Sequence, residues 1–198
     1  MTKTERLWGY INMYKDASLK KYLDDLAAKL PAPGGGSAAA MNAAMGISLV
    51  SMVINFTLGK PKYAQYESEL KKMLERSEGL RKEFLGLVDL DVTAYKSKNT
   101  RDALNIPFML ARLCFEAIKL CPVLIKKGNV NLISDVSVAA IFLESAFASA
   151  YCNVVINLKI LDDKKLSAVM RKELDQKEKR IKRIRKLVEE KVGKIIRG

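Results

Sequence analysis

Apolar side chains recur at three- and four-residue intervals along most of the chain, and strand-like alternation stands out nowhere. Residues Ser18–Leu30 carry Leu19, Tyr22, Leu23, Leu26, Ala27 and Leu30 at helical spacing, with Asp16 or Ser18 able to cap the start. Pro31 and Pro33 end that helix, because a residue preceding proline avoids the helical region. Gly34–Gly36 follow, then Ser37 as a cap for the next element. Ala38–Leu58 is a long apolar stretch whose small residues, among them Ala39, Ala43, Ala44 and Gly46, suit close helix packing, with Gly59 and Pro61 ending it. Its length raises a membrane span. Asn42, Ser48, Ser51 and Asn55 interrupt it and no second convincing span follows, so a buried central helix is the better reading.

Lys62–Lys98 reads as a long amphipathic helix or kinked pair, with Leu70, Met73, Leu74, Leu80, Phe84, Leu87 and Val88 as core candidates. Asn99–Asn105 reads as a loop. Ile106–Lys127 is helical, with a kink expected near Cys121 from Pro107 and Pro122. Lys127–Ser134 reads as a turn, with Ser134 or Asp135 capping an apolar helix through Leu161 that is again rich in Ala and Ser. In Lys164–Arg197, Leu174, Ile181, Val188 and Ile195 recur every seven residues on a highly charged helix, a seam for the body or for a partner subunit. The expectation is an all-α helical bundle, one domain over residues 1–198, with two buried small-residue central helices and a long basic C-terminal helix.

Composition narrows the chemistry. The chain has no histidine, which removes imidazole bases, His-based triads and Cys/His zinc sites. Acid–base work then falls to Asp, Glu, Lys, Tyr or Cys. No clustered acidic motif suggests a metal. Cys114, Cys121 and Cys152 lack C-x-x-C spacing and read as reduced, buried thiols of a cytoplasmic protein. Met1–Tyr14 mixes charges with Trp8 and Tyr10 and forms no apolar core of a secretory leader. Of the net charge of +13, +8 sits in residues 163–198. That segment is either a solvated face or a basic surface for an anionic ligand tail or nucleic acid.

Four local patterns are candidate sites. PAPGGGS (Pro31–Ser37) ahead of a helix offers free N–H groups and close backbone approach, or is a structural turn. It is neither a P-loop nor G-x-G-x-x-G. LVDLDVTAY (Leu87–Tyr95) sets Asp89 and Asp91 two apart on a helix, one toward the core and one toward solvent. Asp91 shares a face with Tyr95 and Val88, either as a satisfied polar group or as an acid/base of raised pKa. Asn129, Asn131, Ser134 and Asp135 cluster at a helix start, where capping is the plain account. Asn153 and Asn157, with Asn42 and Asn55, are amides on the two apolar helices, forming an interhelical network or a polar pocket.

Taken in order, LAAKLPAPGGGSAAAMNAAMGISLVSMVINFTLGKPKY, LVDLDVTAY, KGNVNLISDVSVAA and NVVINLKILDD resemble the C-terminal domain family of formiminotransferase-cyclodeaminase, from about Ser18 to Asp163. The resemblance implies an all-helical, usually dimeric folate enzyme in standalone form, needing no metal or cofactor beyond its reduced folate. It implies either cyclodeamination of 5-formimidoyltetrahydrofolate or hydrolysis of 5,10-methenyltetrahydrofolate. By the same match Asp91 is the catalytic acid/base, and Tyr95, which shares its helix face, is taken to orient it. Gly34, Gly35, Gly36 and Ser37 form the site loop, and Asp135, Asn153 and Asn157, with Asn55, are further substrate-binding positions. Where the family carries an LPK-like segment this chain reads KSKNTRDALNIPFML, leaving Lys96, Lys98 or Arg101 to meet the folate. The alternatives are a folate-binding protein without turnover and, on the basic C-terminal helix alone, a nucleic-acid-binding protein. No nucleic-acid-reading motif accompanies that charge.

Overall fold

The helices expected from the periodicity are present in the computed structural model, which describes residues 14–198. The leader reading of Met1–Tyr14 falls outside the described residues except at Tyr14. Helix α1 spans Leu19–Ala27, α2 Gly35–Asn55, α3 Glu67–Ser97, α4 Thr100–Ile118, α5 Cys121–Lys127, α6 Ile133–Leu161 and α7 Lys164–Arg197. Short 3₁₀ turns at Pro61–Tyr66 and Val130–Leu132 lead into α3 and α6. Among the described residues there is no strand.

The caps explain most boundaries. Ser18 Oγ accepts the Lys21 N–H and starts α1, and Asp163 Oδ1 accepts the Leu166 N–H and starts α7. Three expectations are corrected. Residues 99–105 are not a loop: Asn99 Oδ1 accepts the N–H groups of Arg101 and Asp102, so α4 begins at once. Ser37 is not a cap: α2 starts at the glycines, with Gly34 in the cap position and no capping side chain. Nor do Ser134 and Asp135 cap α6. Asn129 Oδ1 accepts the Asn131 N–H and the 3₁₀ turn runs straight into the helix, leaving both residues in its first turn. The expected kink near Cys121 is a break, with α5 restarting around Pro122.

Helices α2 and α6 run antiparallel at the centre. The Asn42 amide donates to the Phe142 carbonyl, while Gly46 faces Leu143 and Ala139. A Cβ at Gly46 would lie 3.0 Å from Leu143 and 3.1 Å from Phe142, so the missing side chain sets the helix separation. Helix α3 packs on α2, α4 on α6 and α3, and α7 on α6 with edges on α5 and α4. The seam of α7 therefore belongs to the body: Leu174, Ile181 and Val188 are fully buried, while Ile195 is exposed. Buried apolar side chains form one continuous core, including Phe84, Phe115 and Phe147; Cys114 and Cys121 lie in it as expected, but Cys152 is exposed on the outer side of α6. Burying each phenylalanine contributes about 1.5–3 kcal/mol relative to exposure.

Two helical stretches, Gly35–Asn55 and Val130–Leu161, are long and apolar enough to cross a membrane, so a second candidate does follow the first. Each covers the other's small-residue face in this fold. The stripe of α1 is a further correction. Tyr22 is buried and Leu26 packs partly against the core, but Leu19 and Leu23 stand 63% and 50% exposed, as does Leu30 just past the helix at 49%, because α1 lies on the outside of the bundle.

Candidate active site

A cleft of about 240 Å³ opens where the α1–α2 loop meets α3, α4 and α6. Its walls are Pro31, Ala32 and Gly34–Gly36 on one side, Asp91, Ala94 and Tyr95 of α3 on another, with Ala103 of α4 and Asn153 and Asn157 of α6 closing it. Four segments distant in sequence thus converge at the N-terminal end of α2. Antiparallel packing places the C-terminal half of α6 beside it.

Asp91 lies against the glycine loop. Its Oδ2 accepts the Ser37 N–H at 2.9 Å, one of the N–H groups a helix start leaves without an internal partner. A Cβ at Gly36 would sit 2.1 Å from Asp91 Oδ1 and 2.7 Å from its Cγ, so only glycine lets this carboxylate reach the backbone. At Gly34 and Gly35 a Cβ would meet nothing within 4 Å. Those two leave open space for a ligand. Burial raises the Asp91 pKa above the ordinary aspartate value of 3.8, against the lowering effect of the Ser37 N–H. The result is a carboxyl group that keeps its proton to higher pH than usual, in contact with the cleft.

Asp89 does different work. Contrary to the expectation for two acids two apart, neither faces open solvent. Asp89 is 3% exposed, and its oxygens accept the N–H groups of Tyr14 at 2.8 Å and Lys15 at 3.4 Å. The chain before α1 covers one side of α3 and the start of α2 the other, so both faces are occupied.

Asn157 owes its placement to a proline. Pro107 has no N–H to return to the carbonyl of Ala103, four residues back. The Asn157 amide donates to that carbonyl at 2.6 Å, bridging α6 to α4 at the cleft wall. The Asn153 amide donates to the Ser149 carbonyl at 3.0 Å. One N–H of each amide is tied back to the protein, so each asparagine offers a ligand its carbonyl oxygen and its second N–H.

Of the residues singled out from the sequence, Gly34, Gly35, Gly36, Asp91, Tyr95, Asn153 and Asn157 come together here. Ser37 stands behind the cleft, fully buried, with its hydroxyl 3.2 Å from that of Tyr22. Asn55 and Asp135 lie at the other end of the bundle. Each is 18 residues along its helix from Ser37 or Asn153, roughly 27 Å at the helical rise. Asn55 lines a separate hollow with Ser48, Ser51 and the Glu78–Arg81 ion pair. Of the substitute cations, Lys98 lines an extension of the cleft with Tyr95, Asn99, Ala103, Asn157 and Ile160. Sequence reasoning missed Tyr22 as a site neighbour. Its one signal was a hydroxyl-bearing ring in an otherwise aliphatic stripe. Among the described residues no group of three or more Cys, Asp or Glu side chains could hold a metal.

The family model for formiminotransferase-cyclodeaminase matches residues 18–100 and 96–176. The chain belongs to the formiminotransferase-cyclodeaminase family. Both matched segments contribute to the cleft, the first through the glycine loop and Asp91, the second through Ala103, Asn153 and Asn157. Within the family the chain is 39% identical to a methenyltetrahydrofolate cyclohydrolase of Methylorubrum extorquens, over 82% of this chain and 89% of that one. It is 32% identical to the formimidoyltransferase-cyclodeaminase of Rattus norvegicus, over 75% of this chain but 32% of the rat protein, so it spans about a third of that relative. A crystal structure of formiminotetrahydrofolate cyclodeaminase from Thermotoga maritima superposes with a TM-score of 0.88 at 28% identity, covering 93% of this chain and all of that one.

Proposed function

We propose that this protein is a folate one-carbon enzyme acting at the bridge carbon of 5,10-methenyltetrahydrofolate, and that its reaction is hydrolysis to 10-formyltetrahydrofolate. The observation that carries the reading is the Asp91 carboxyl group, held by the Ser37 N–H at the wall of a cleft bounded by glycine backbone and two asparagines. The 39% identity to a methenyltetrahydrofolate cyclohydrolase of matching length supports hydrolysis. Likeness to the Thermotoga maritima cyclodeaminase supports the second reading, formation of the methenyl compound from 5-formimidoyltetrahydrofolate.

The proton chemistry needs one carboxylate. In hydrolysis, water attacks the cationic bridge carbon while Asp91 takes one of its protons. The carbon–N5 bond then breaks, Asp91 returns that proton to N5, and the second water proton leaves as the formyl carbonyl forms. In the deaminase direction N10 attacks the carbon of the protonated formimidoyl group, and Asp91 carries the N10 proton to the nitrogen that departs as ammonia. Placed beside the reacting carbon, the carboxylate also stabilises its positive charge. Gly34–Gly36, Asn153 and Asn157 bind the pterin edge, Tyr95 lines the mouth, and Lys98 meets the glutamate tail. Asn55 and Asp135, at the far end, are outside the proposed pocket. The reaction calls for no metal or further cofactor. We place the protein in the cytoplasm, away from the membrane, which the free buried thiols Cys114 and Cys121 support. We also take it to act as a homodimer, which the exposed leucine stripe of α1 supports.

Absorbance of the methenyl chromophore tests the reaction. A hydrolase makes it decay from methenyltetrahydrofolate; a deaminase makes it appear from 5-formimidoyltetrahydrofolate with release of ammonia. Neither change, with folate binding retained in calorimetry, would leave the binding-protein alternative. Asp91→Asn is expected to lower turnover by about 100-fold or more while the protein remains folded. A folded Asp91→Asn variant with wild-type turnover would remove Asp91 from the mechanism.

A further inference from the structure

Helix α2 starts under poor conditions for a rigid first turn. Three successive glycines carry large conformational freedom. The cap position is Gly34, which supplies no side-chain hydrogen bond. Yet this turn must hold the Ser37 N–H on Asp91, with Gly36 close enough that one methyl group would collide with the carboxylate.

The stiffening comes from α1. Tyr22 is 3% exposed, and its hydroxyl lies 3.2 Å from Ser37 Oγ, itself fully buried. The Tyr22 ring meets Tyr14 edge-on, with ring centres 5.3 Å apart. Tyr14 is fixed in turn: its hydroxyl donates to Asp25 Oδ2 at 2.9 Å and its N–H to Asp89 Oδ1 at 2.8 Å, two residues before Asp91 on α3. One end of this chain of contacts therefore grips α3 beside the catalytic carboxylate and the other grips the helix turn opposite it. Neither the Tyr22 ring nor the Ser37 side chain lines the cleft.

We propose that Tyr22 is a positioning residue, whose hydroxyl anchors Ser37 and so keeps the first turn of α2 in register with Asp91. It braces this turn through the Ser37 side chain, while the Ser37 N–H itself is taken by Asp91. The inference rests on the reading of Asp91 as the acid/base, and it assigns Tyr22 no contact with the folate.

Tyr22→Phe is the minimal test, because it retains the ring and its packing on Tyr14 and removes one oxygen. With kinetics followed by methenyl absorbance, kcat is expected to fall about tenfold, the scale of one lost hydrogen bond acting on the reacting group. KM should stay near wild type and the melting temperature should fall by only a few degrees, about the cost of one buried hydrogen bond, a split that general loosening of the fold would not produce. Ser37→Ala, which removes the other partner, should lower kcat similarly, and the double variant should be no worse than either single one. Unchanged kcat in Tyr22→Phe overturns the proposal. So does a rise in KM at constant kcat, or fully additive losses in the double variant. An inactive Asp91→Asn beside a fully active Tyr22→Phe overturns this proposal alone. Full turnover in Asp91→Asn overturns the reading of Asp91 and this inference with it.

Discussion

At the scale of residues, the site is built around one carboxyl group kept out of water. Asp91 has lost more solvation than the single Ser37 N–H restores, so its pKa lies above 3.8. The same shift bears on stability. A carboxyl whose pKa is raised on folding favours the folded state at low pH, and that contribution is lost as pH rises through the folded value. Asp91→Asn, which cannot ionise, should therefore gain stability over wild type at neutral pH. The gain should shrink as pH falls toward 3.8 and the wild-type carboxyl takes its proton. Urea melts at pH 7 and pH 4 measure this, and a difference that does not depend on pH would contradict the burial argument. A variant both slower and more stable at neutral pH is the signature of a group held for chemistry.

At the scale of elements, the antiparallel contact of α2 and α6 carries the architecture, and Gly46 is a point of close approach in it. Its missing Cβ would already press on Leu143 and Phe142. Gly46→Leu should cost about 1–3 kcal/mol by overpacking, read as a lowered denaturant midpoint with a nearly unchanged slope. A variant as stable as wild type would show that the helices separate freely. The same pairing decides which polar residues can meet. Asn153 and Asn157 meet the glycine loop because the end of α6 lies beside the start of α2. Asn55 and Asp135 sit at the opposite ends of those helices. Asn157 shows how a local sequence event becomes a tertiary contact: the carbonyl that Pro107 leaves without its helical N–H is the one Asn157 takes. A proline in α4 thus helps to aim an amide of α6.

At the scale of the whole molecule, charge and apolar surface are unevenly spread. Most of the basic excess lies along α7, whose buried seam packs on the body of the fold. An exposed apolar stripe lies on α1, where Leu19 and Leu23 project outward with Leu30 just past the helix, and α6 and α7 also expose apolar side chains, among them Ile156, Ile160 and Val169. For a homodimer, light scattering should return about twice the 22.1 kDa of one chain. Charging the stripe with Leu19→Glu and Leu23→Glu should shift the protein to monomer, because burying ionised carboxylates in an apolar contact is costly. A wild-type monomer at working concentrations would end the proposal. An unaffected dimer in the charged variant would move the interface away from α1.

What the sequence determined by itself is what local physics controls. Periodicity marked the helices, prolines and glycines marked their ends, and absence of histidine confined acid–base chemistry to other side chains. The PAPGGGS and VDLD motifs carried the family because they record local backbone and side-chain requirements. Tertiary structure decided the rest. Helical spacing states that residues share a face but not what covers it. Asp89 therefore turned out to secure the chain before α1, while Asp91 reached the cleft. Nor can spacing say which end of a long helix meets which loop. The candidate polar residues were consequently divided between two ends of the bundle only when α2 and α6 packed antiparallel. The catalytic candidate was legible because its chemistry is its own. The Tyr22–Ser37 support was not, because it consists of contacts between separate helices.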